Sequence, residues 1–119
     1  MTAKERTGMR DVKFSRWIRE KLPDSNTGYS VSDLDFMLWN WKTKKIMLLE
    51  IKCRMVEPKP NQYIMIKNIH NWIQKGIDQD WTYLGFNLVM FEGDTFENGK
   101  VYLNRNEISE EDLIQFLSF

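Results

Sequence analysis

The sequence has little of what several classes of protein depend on. It has one cysteine and one histidine in 119 residues, so it can form no internal disulfide and has no Cys/His cluster for structural zinc. No apolar run reaches the roughly 18 residues that cross a bilayer, and the first residues show no signal-peptide core. We therefore expect a cytoplasmic protein (in the host cytoplasm if the chain is viral) that has no membrane partner.

The formal net charge is zero, although the charges are unevenly distributed along the chain. Residues 1–60 carry 13 Lys and Arg against 8 Asp and Glu, whereas residues 61–119 carry 4 against 9. Because local charge governs contact with phosphates, a neutral total does not exclude a basic face that binds nucleic acid. Charges that fell unevenly on solvated surfaces explain the same asymmetry equally well.

Length and a hydrophobic content of 42% predict a single domain over residues 1–119, in which residues 1–8 are disordered. Apolar spacing and breaker residues predict a helix over 9–22, strands over 29–39 and 45–53, a helix over 61–75, strands over 81–91 and 100–103, and a final helix capped by Ser109. The buried helix stripes are predicted to contain Met65, Ile66, Ile69, Trp72 and Ile73, and then Leu113, Phe116 and Leu117. This order of elements predicts an α/β fold in which helices flank a mixed sheet.

Charged residues interrupt the apolar pattern at the end of the strand predicted over 45–53. Glu50 and Lys52 follow a strictly apolar run, and they share one face of the strand because successive side chains alternate. Two charges at the end of a buried strand are costly unless they are paired, coordinated or used in chemistry. The preceding strand shows the mirror pattern, in which Asp33 and Asp35 come before the apolar residues.

A hairpin of these two strands brings the charged residues together. If Asp35 lies opposite Glu50, then Asp33 lies opposite Lys52 and all four side chains project from one face; a shift of two residues keeps the cluster. A shift of one residue would turn both aspartates to the apolar face. Two carboxylates and a lysine can hold Mg²⁺, activate a water and stabilise charge on a phosphate. The pattern therefore predicts a phosphodiesterase site, with a structural ion cluster as the alternative.

These residues resemble the motif of the PD-(D/E)XK nuclease superfamily, in which a helix precedes a hairpin bearing Asp, then Glu-x-Lys, then another helix. The matching residues are Asp35 (or Asp33) and Glu50-Ile51-Lys52. The resemblance implies a restriction-endonuclease-like αβββαβ core, and Mg²⁺, for which Mn²⁺ can substitute, bound by Asp35, Glu50 and the Ile51 carbonyl. It also implies that Lys52 serves the attacking water. The proline that often precedes the aspartate is missing, so both aspartates stay candidate ligands, for one metal ion or two.

The resemblance extends to the two flanking helices. Many members carry a glutamate on the first helix that helps complete the metal site, and Glu20 is the matching residue here. Many also carry a glutamine on the helix after Glu-x-Lys, and Gln62 fits that position. Both residues also have ordinary explanations: an exposed ion pair for Glu20, and a place near a helix N-terminus for Gln62.

Basic and aromatic residues lie close to these motifs in the sequence. The candidate nucleic-acid-binding residues are Lys42, Lys44 and Lys45 at the hairpin tip, and Arg54 and Lys59 after the site. They can follow a phosphate backbone, or form an ordinary solvated turn. Trp39 and Trp41 can stack on bases or form a dimer surface, although a place in the core is the favoured prediction for Trp39.

The leading interpretation is a small Mg²⁺-dependent DNA endonuclease that uses metal-activated water, without a covalent intermediate or a small-molecule cofactor. Its size resembles stand-alone phage, viral or archaeal members of the superfamily such as Holliday-junction resolvases. These often act as homodimers, so we expect DNA and a second copy of the chain as partners, and cleavage that depends on DNA structure. The alternatives are a non-catalytic nucleic-acid-binding module with the same fold and a small protein-interaction domain.

Overall fold

The computed structural model of the protein describes residues 13–29, 31 and 34–119. These residues belong to two compact units, which lie within Met1–Val31 and Ser32–Phe119. The prediction of a single domain over the whole chain stays a prediction. Within the described ranges, no helix has the length and hydrophobicity needed to cross a membrane.

The first unit contains a helix, α1, over residues 13–21 and a 3-10 turn at Ser25–Thr27. Pro23 follows the helix, where its ring is incompatible with a further regular turn. The helix predicted over 9–22 is confirmed in the part that is described, whereas its start and the predicted disordered segment 1–8 lie outside the described residues.

The second unit is built on a five-stranded mixed sheet with the strand order β1-β2-β3-β4-β5. The elements are β1 (Phe36–Asn40), β2 (Lys45–Lys52), α2 (Pro60–Gly76), β3 (Thr82–Phe91), β4 (Val101–Leu103), β5 (Asn106–Ile108) and α3 (Glu110–Leu117), with a 3-10 turn at Phe96–Asn98. Strands β2 and β3 are parallel and the other neighbours are antiparallel. A parallel pair needs a long crossover connection, which α2 supplies.

The predicted α/β class, with helices and a mixed sheet, is confirmed. The specific αβββαβ core of the restriction-endonuclease fold is not confirmed, since two strands precede α2 within the described residues. The predicted hairpin is present, but its first strand is shorter than the predicted 29–39, because β1 begins only at Phe36. Its register pairs Phe36 with Leu49 and Leu38 with Met47. Extended by one residue, this register brings Asp35 opposite Glu50, which is one of the two registers that the sequence predicts.

The two faces of the sheet are covered by different helices. Leu113 of α3 packs in a buried cluster with Leu49 of β2 and Val89 of β3. Side chains alternate along a strand, so Leu48 and Glu50 point to the opposite face, where Gln62 of α2 hydrogen-bonds to Glu50. Strand β2 is therefore buried on both faces, and each fully buried aliphatic side chain stabilises the fold by about 1.5–3 kcal/mol.

Helix α3 begins as its sequence predicts, because the Ser109 hydroxyl accepts a hydrogen bond from the backbone N–H of Asp112 at 3.1 Å. Two residues of the predicted buried stripes are instead exposed: Phe116 of α3 and Trp72 of α2. Both predictions were wrong because each helix buries one narrow line against the sheet, centred on Leu113 in α3 and on Ile66 in α2. Residues to the side of that line reach solvent.

Candidate active site

The end of β2 and the start of β1 hold two carboxylates against each other. The backbone N–H of Asp35 donates to Glu50 Oε1 at 3.3 Å, and Asp35 Oδ2 accepts from the backbone N–H of Ile51 at 2.9 Å. Ile51 lies beyond the last residue pair of the β1–β2 ladder, so the Asp35 side chain satisfies its N–H where no β1 partner remains. These reciprocal bonds fix both carboxylates at one edge of the sheet.

Helix α2 adds an amide that orients the acid and the lysine together. Gln62 Nε2 donates to Glu50 Oε2 at 2.6 Å, and Gln62 Oε1 accepts from Lys52 Nζ at 3.2 Å. Lys52 Nζ is also 3.6 Å from Glu50 Oε2. Pro60 is the first residue of α2, which brings Gln62 into the first helical turn above the end of β2. The structure thus brings together four predicted site residues: Asp35, Glu50, Lys52 and Gln62.

Glu50 is the electrostatic centre of this cluster. Its side chain is fully buried, whereas Asp35 is exposed and Lys52 is partly buried. Burial raises the pKa of Glu50 and the negative charge of Asp35 raises it further, while the hydrogen bond from the Asp35 backbone and the charge of Lys52 act in the opposite direction. A cation placed between the two carboxylates would offset both the cost of burying the Glu50 charge and its repulsion by Asp35.

The donor set fits a hard divalent cation such as Mg²⁺, which is usually anchored by one or two protein carboxylates and keeps several waters. The N–H and C=O of one strand residue point to the same side, and the Ile51 N–H faces Asp35. The Ile51 carbonyl therefore points to the edge where Asp35 lies. Across the described part of the chain, no group of three or more His, Cys, Asp or Glu side chains gathers to hold a metal.

Two further predicted ligands, Asp33 and Glu20, stay predictions. Asp33 lies outside the described residues, so of the two candidate aspartates the structure describes only Asp35. Glu20 is an exposed residue of α1, which belongs to the other compact unit. Its role in completing the metal site stays a prediction.

The predicted basic residues differ in the charge that they can offer to a phosphate. Lys44 forms an ion pair with Asp80 at 2.6 Å, and Arg54 pairs with Asp94. Lys45 is partly buried, whereas Lys42 and Lys59 are exposed. A phosphate contact by Lys44 or Arg54 competes with an acid that is already bound, so Lys42 and Lys59 are the better candidates.

The prediction that Trp39 lies in the core was wrong. The residue is 59% exposed, and its ring lies 6.1 Å from that of Trp81. Strand β1 is at an edge of the sheet, and Met37 and Trp39, which share one of its faces, are both exposed. The contact of the partly buried Trp81 with Trp39 was not predicted, because Trp81 was assigned only as the first residue of a strand.

No family model matches the chain, and no curated protein or solved structure matches it. The resemblance to the PD-(D/E)XK superfamily therefore rests on the sequence motif alone and stays a prediction.

Proposed function

We propose that the protein is a metal-dependent DNA endonuclease that hydrolyses a phosphodiester with a metal-activated water. The observation that carries the proposal is the cluster in which Asp35 and Gln62 hydrogen-bond to the buried Glu50, and Gln62 also accepts from Lys52. The Asp35 carboxylate satisfies the Ile51 N–H, but its negative charge also raises the pKa of the buried Glu50, which is a cost to a purely structural cluster. Such an arrangement is typical of functional sites, where binding of a cation or substrate offsets its cost.

Each residue has a distinct task in the proposed reaction. Asp35, Glu50 and the Ile51 carbonyl would hold Mg²⁺ or Mn²⁺, which polarises the phosphate and lowers the pKa of a bound water. The Lys52 ammonium orients the attacking water and stabilises the negative charge that develops on the phosphate. The water gives up a proton to solvent as its oxygen bonds to phosphorus, the bond to one ester oxygen breaks, and that oxygen leaves as a hydroxyl after taking a proton from solvent.

Gln62 is a positioning residue in this scheme. Its amide donates to Glu50 and accepts from Lys52, so it fixes the separation between the metal ligand and the lysine. Rigid placement of reacting groups supplies a large part of the rate enhancement of enzymes. A second copy of the chain belongs to the same proposal, because two such sites are needed to cut both strands of a duplex.

The test is cleavage of labelled branched, duplex and single-stranded DNA in Mg²⁺, Mn²⁺ or EDTA. We expect cutting that needs the metal, that Glu50→Gln abolishes and that Lys52→Met slows by about 100-fold or more. The matched controls are Glu107→Gln and Lys100→Met, which alter an exposed Lys–Glu pair 3.8 Å apart. These two variants should cut as the unchanged protein does.

Other results would support the alternatives. Binding of DNA that weakens with salt, without cutting and unaffected by either site substitution, would favour a non-catalytic nucleic-acid-binding module. Absence of both cutting and binding would contradict the proposal and favour a protein-interaction domain.

A further inference from the structure

One face of β1 connects the acidic cluster to a pair of exposed aromatic rings. In the β1–β2 register, Met37 pairs with Leu48 and Trp39 pairs with Ile46, and one step further Asp35 reaches Glu50. Side chains two residues apart share a face, so Asp35, Met37 and Trp39 lie in one row. At about 3.3 Å per residue, Trp39 is about 13 Å from Asp35 along the strand.

The aromatic side chains at the far end of this row form a stacking surface, which consists of Trp39, Trp41 and Trp81. Trp39 and Trp41 are 59% and 65% exposed. The rings of Trp39 and Trp81 are 6.1 Å apart with an interplanar angle of 35°, so Trp81 supports the exposed ring from one side. Large aromatic side chains contribute most when they are buried, so two tryptophans left in solvent are available to a ligand.

The charge at this end of the hairpin indicates the ligand. Lys42 is exposed, and its Nζ lies 5.5 Å from the centroid of the Trp41 ring. Lys44 and Lys45 follow directly in the chain. Aromatic rings next to ammonium groups match a ligand that carries both flat rings and negative charge, which describes a nucleic-acid strand. An apolar protein surface would leave the exposed Lys42 ammonium without a counter-charge, whereas Lys44 already pairs with Asp80.

Stacking further restricts the form of the nucleic acid. Paired bases within a duplex present only their edges in the grooves, and their faces are covered by neighbouring bases. An unpaired base exposes a face that an aromatic side chain can cover, whatever the sequence. The stacking surface is therefore better suited to unpaired nucleotides than to a continuous duplex.

We propose that this stacking surface binds an unpaired stretch of the DNA and directs the adjoining backbone along β1 to Asp35 and Glu50. The preferred substrates are then single strands and duplexes with a single-stranded extension. The cleavage part of this inference rests on the proposed nuclease function, whereas the binding part does not depend on it.

The test is the fluorescence anisotropy of labelled oligo-dT, blunt duplex and duplex with a dT extension, measured with the full chain in EDTA. We expect Trp39→Ala to weaken oligo-dT binding by about 10-fold, within the range known for loss of one stacked base, and to leave blunt-duplex binding unchanged. Trp39→Phe should restore most of the affinity. Trp72→Ala is the matched control, because it removes a tryptophan that is 60% exposed on α2.

The outcomes separate this inference from the nuclease proposal. Loss of oligo-dT binding in Trp39→Ala, in a protein that cuts no substrate, would support the stacking surface and contradict the nuclease. Equal oligo-dT affinity in Trp39→Ala and the unchanged protein would overturn the stacking surface, even if metal-dependent cutting is found. A change from dimer to monomer in Trp39→Ala without a change in affinity would also overturn it, because the surface would then join two copies.

Discussion

Glu50 is held in an environment that disfavours its charge. The side chain is fully buried beside the carboxylate of Asp35, and its compensation comes from one amide, one backbone N–H and a lysine 3.6 Å away. Two acids share one nearby ammonium, so a second positive charge would stabilise the ionised form of Glu50. The cost falls when a divalent cation bridges the acids, so metal binding and stability should be linked at this site.

Mg²⁺ should therefore raise the melting temperature of the protein. A metal present at ten times its Kd stabilises the native state by about 1.4 kcal/mol, which corresponds to about 5 °C for a protein of this size. Asp35→Asn and Glu50→Gln should each remove the increase, and Glu107→Gln should retain it. The measurement is thermal unfolding followed by circular dichroism in Mg²⁺ and in EDTA. An equal increase in Asp35→Asn and the unchanged protein would show that Mg²⁺ binds elsewhere.

At the scale of elements, a bulge in β3 sets the register that holds the site in place. The β2–β3 pairing advances by one residue between Ile46 and Leu48, so that Glu50 lies beside Leu88. Gly85 lies within this irregularity and has a φ of 89°, in the left-handed region that other residues adopt only at a cost. The glycine therefore permits the extra residue that aligns the second half of β3 with β2.

Gly85→Ala should destabilise the protein through this backbone conformation alone. The space around Gly85 is open, with nothing within 4 Å of an added Cβ, so the expected cost of about 1–2 kcal/mol comes from φ and not from a clash. Gly76→Ala is the matched control, because that site is equally open and lies at the end of α2. It should be neutral or stabilising by up to about 1 kcal/mol. Urea unfolding of both variants measures the difference, and equal stabilities would contradict the role given to Gly85.

Alternation along two strands was sufficient to predict which residues of the hairpin meet. It assigned Asp35, Glu50 and Lys52 to one face from their spacing, and the contacts agree. Alternation cannot show whether a face is covered, because that depends on the strand order of the whole sheet. Trp39 was placed in the core for this reason, although β1 is an edge strand. The strand Asn106–Ile108 was missed because three residues with one apolar side chain form no recognisable pattern.

At the scale of the whole molecule, a neutral protein must bind a polyanion through a local excess of positive charge. The formal charge is zero, with 17 basic and 17 acidic residues. Several basic side chains are already neutralised by acids, including Lys44 by Asp80 and Arg105 by Glu57. A phosphate contact by one of these paired side chains must displace an acid, so each should add less to the salt dependence of DNA affinity than a lysine without an acidic partner does.

The salt dependence of oligo-dT binding should distinguish a lysine that contacts phosphate from one that is paired within the protein. Each phosphate contact on a single strand contributes about 0.7 to the slope of log K against log salt. Lys42→Ala should lower the slope by about this amount. Lys44→Ala should change it less, because the Lys44 ammonium is bound to Asp80 at 2.6 Å. Binding measured from low to moderate salt gives both slopes. A slope in Lys42→Ala equal to that of the unchanged protein would exclude Lys42 from the phosphate contacts, and would leave the tryptophan rings as the main basis for binding at this end of the hairpin.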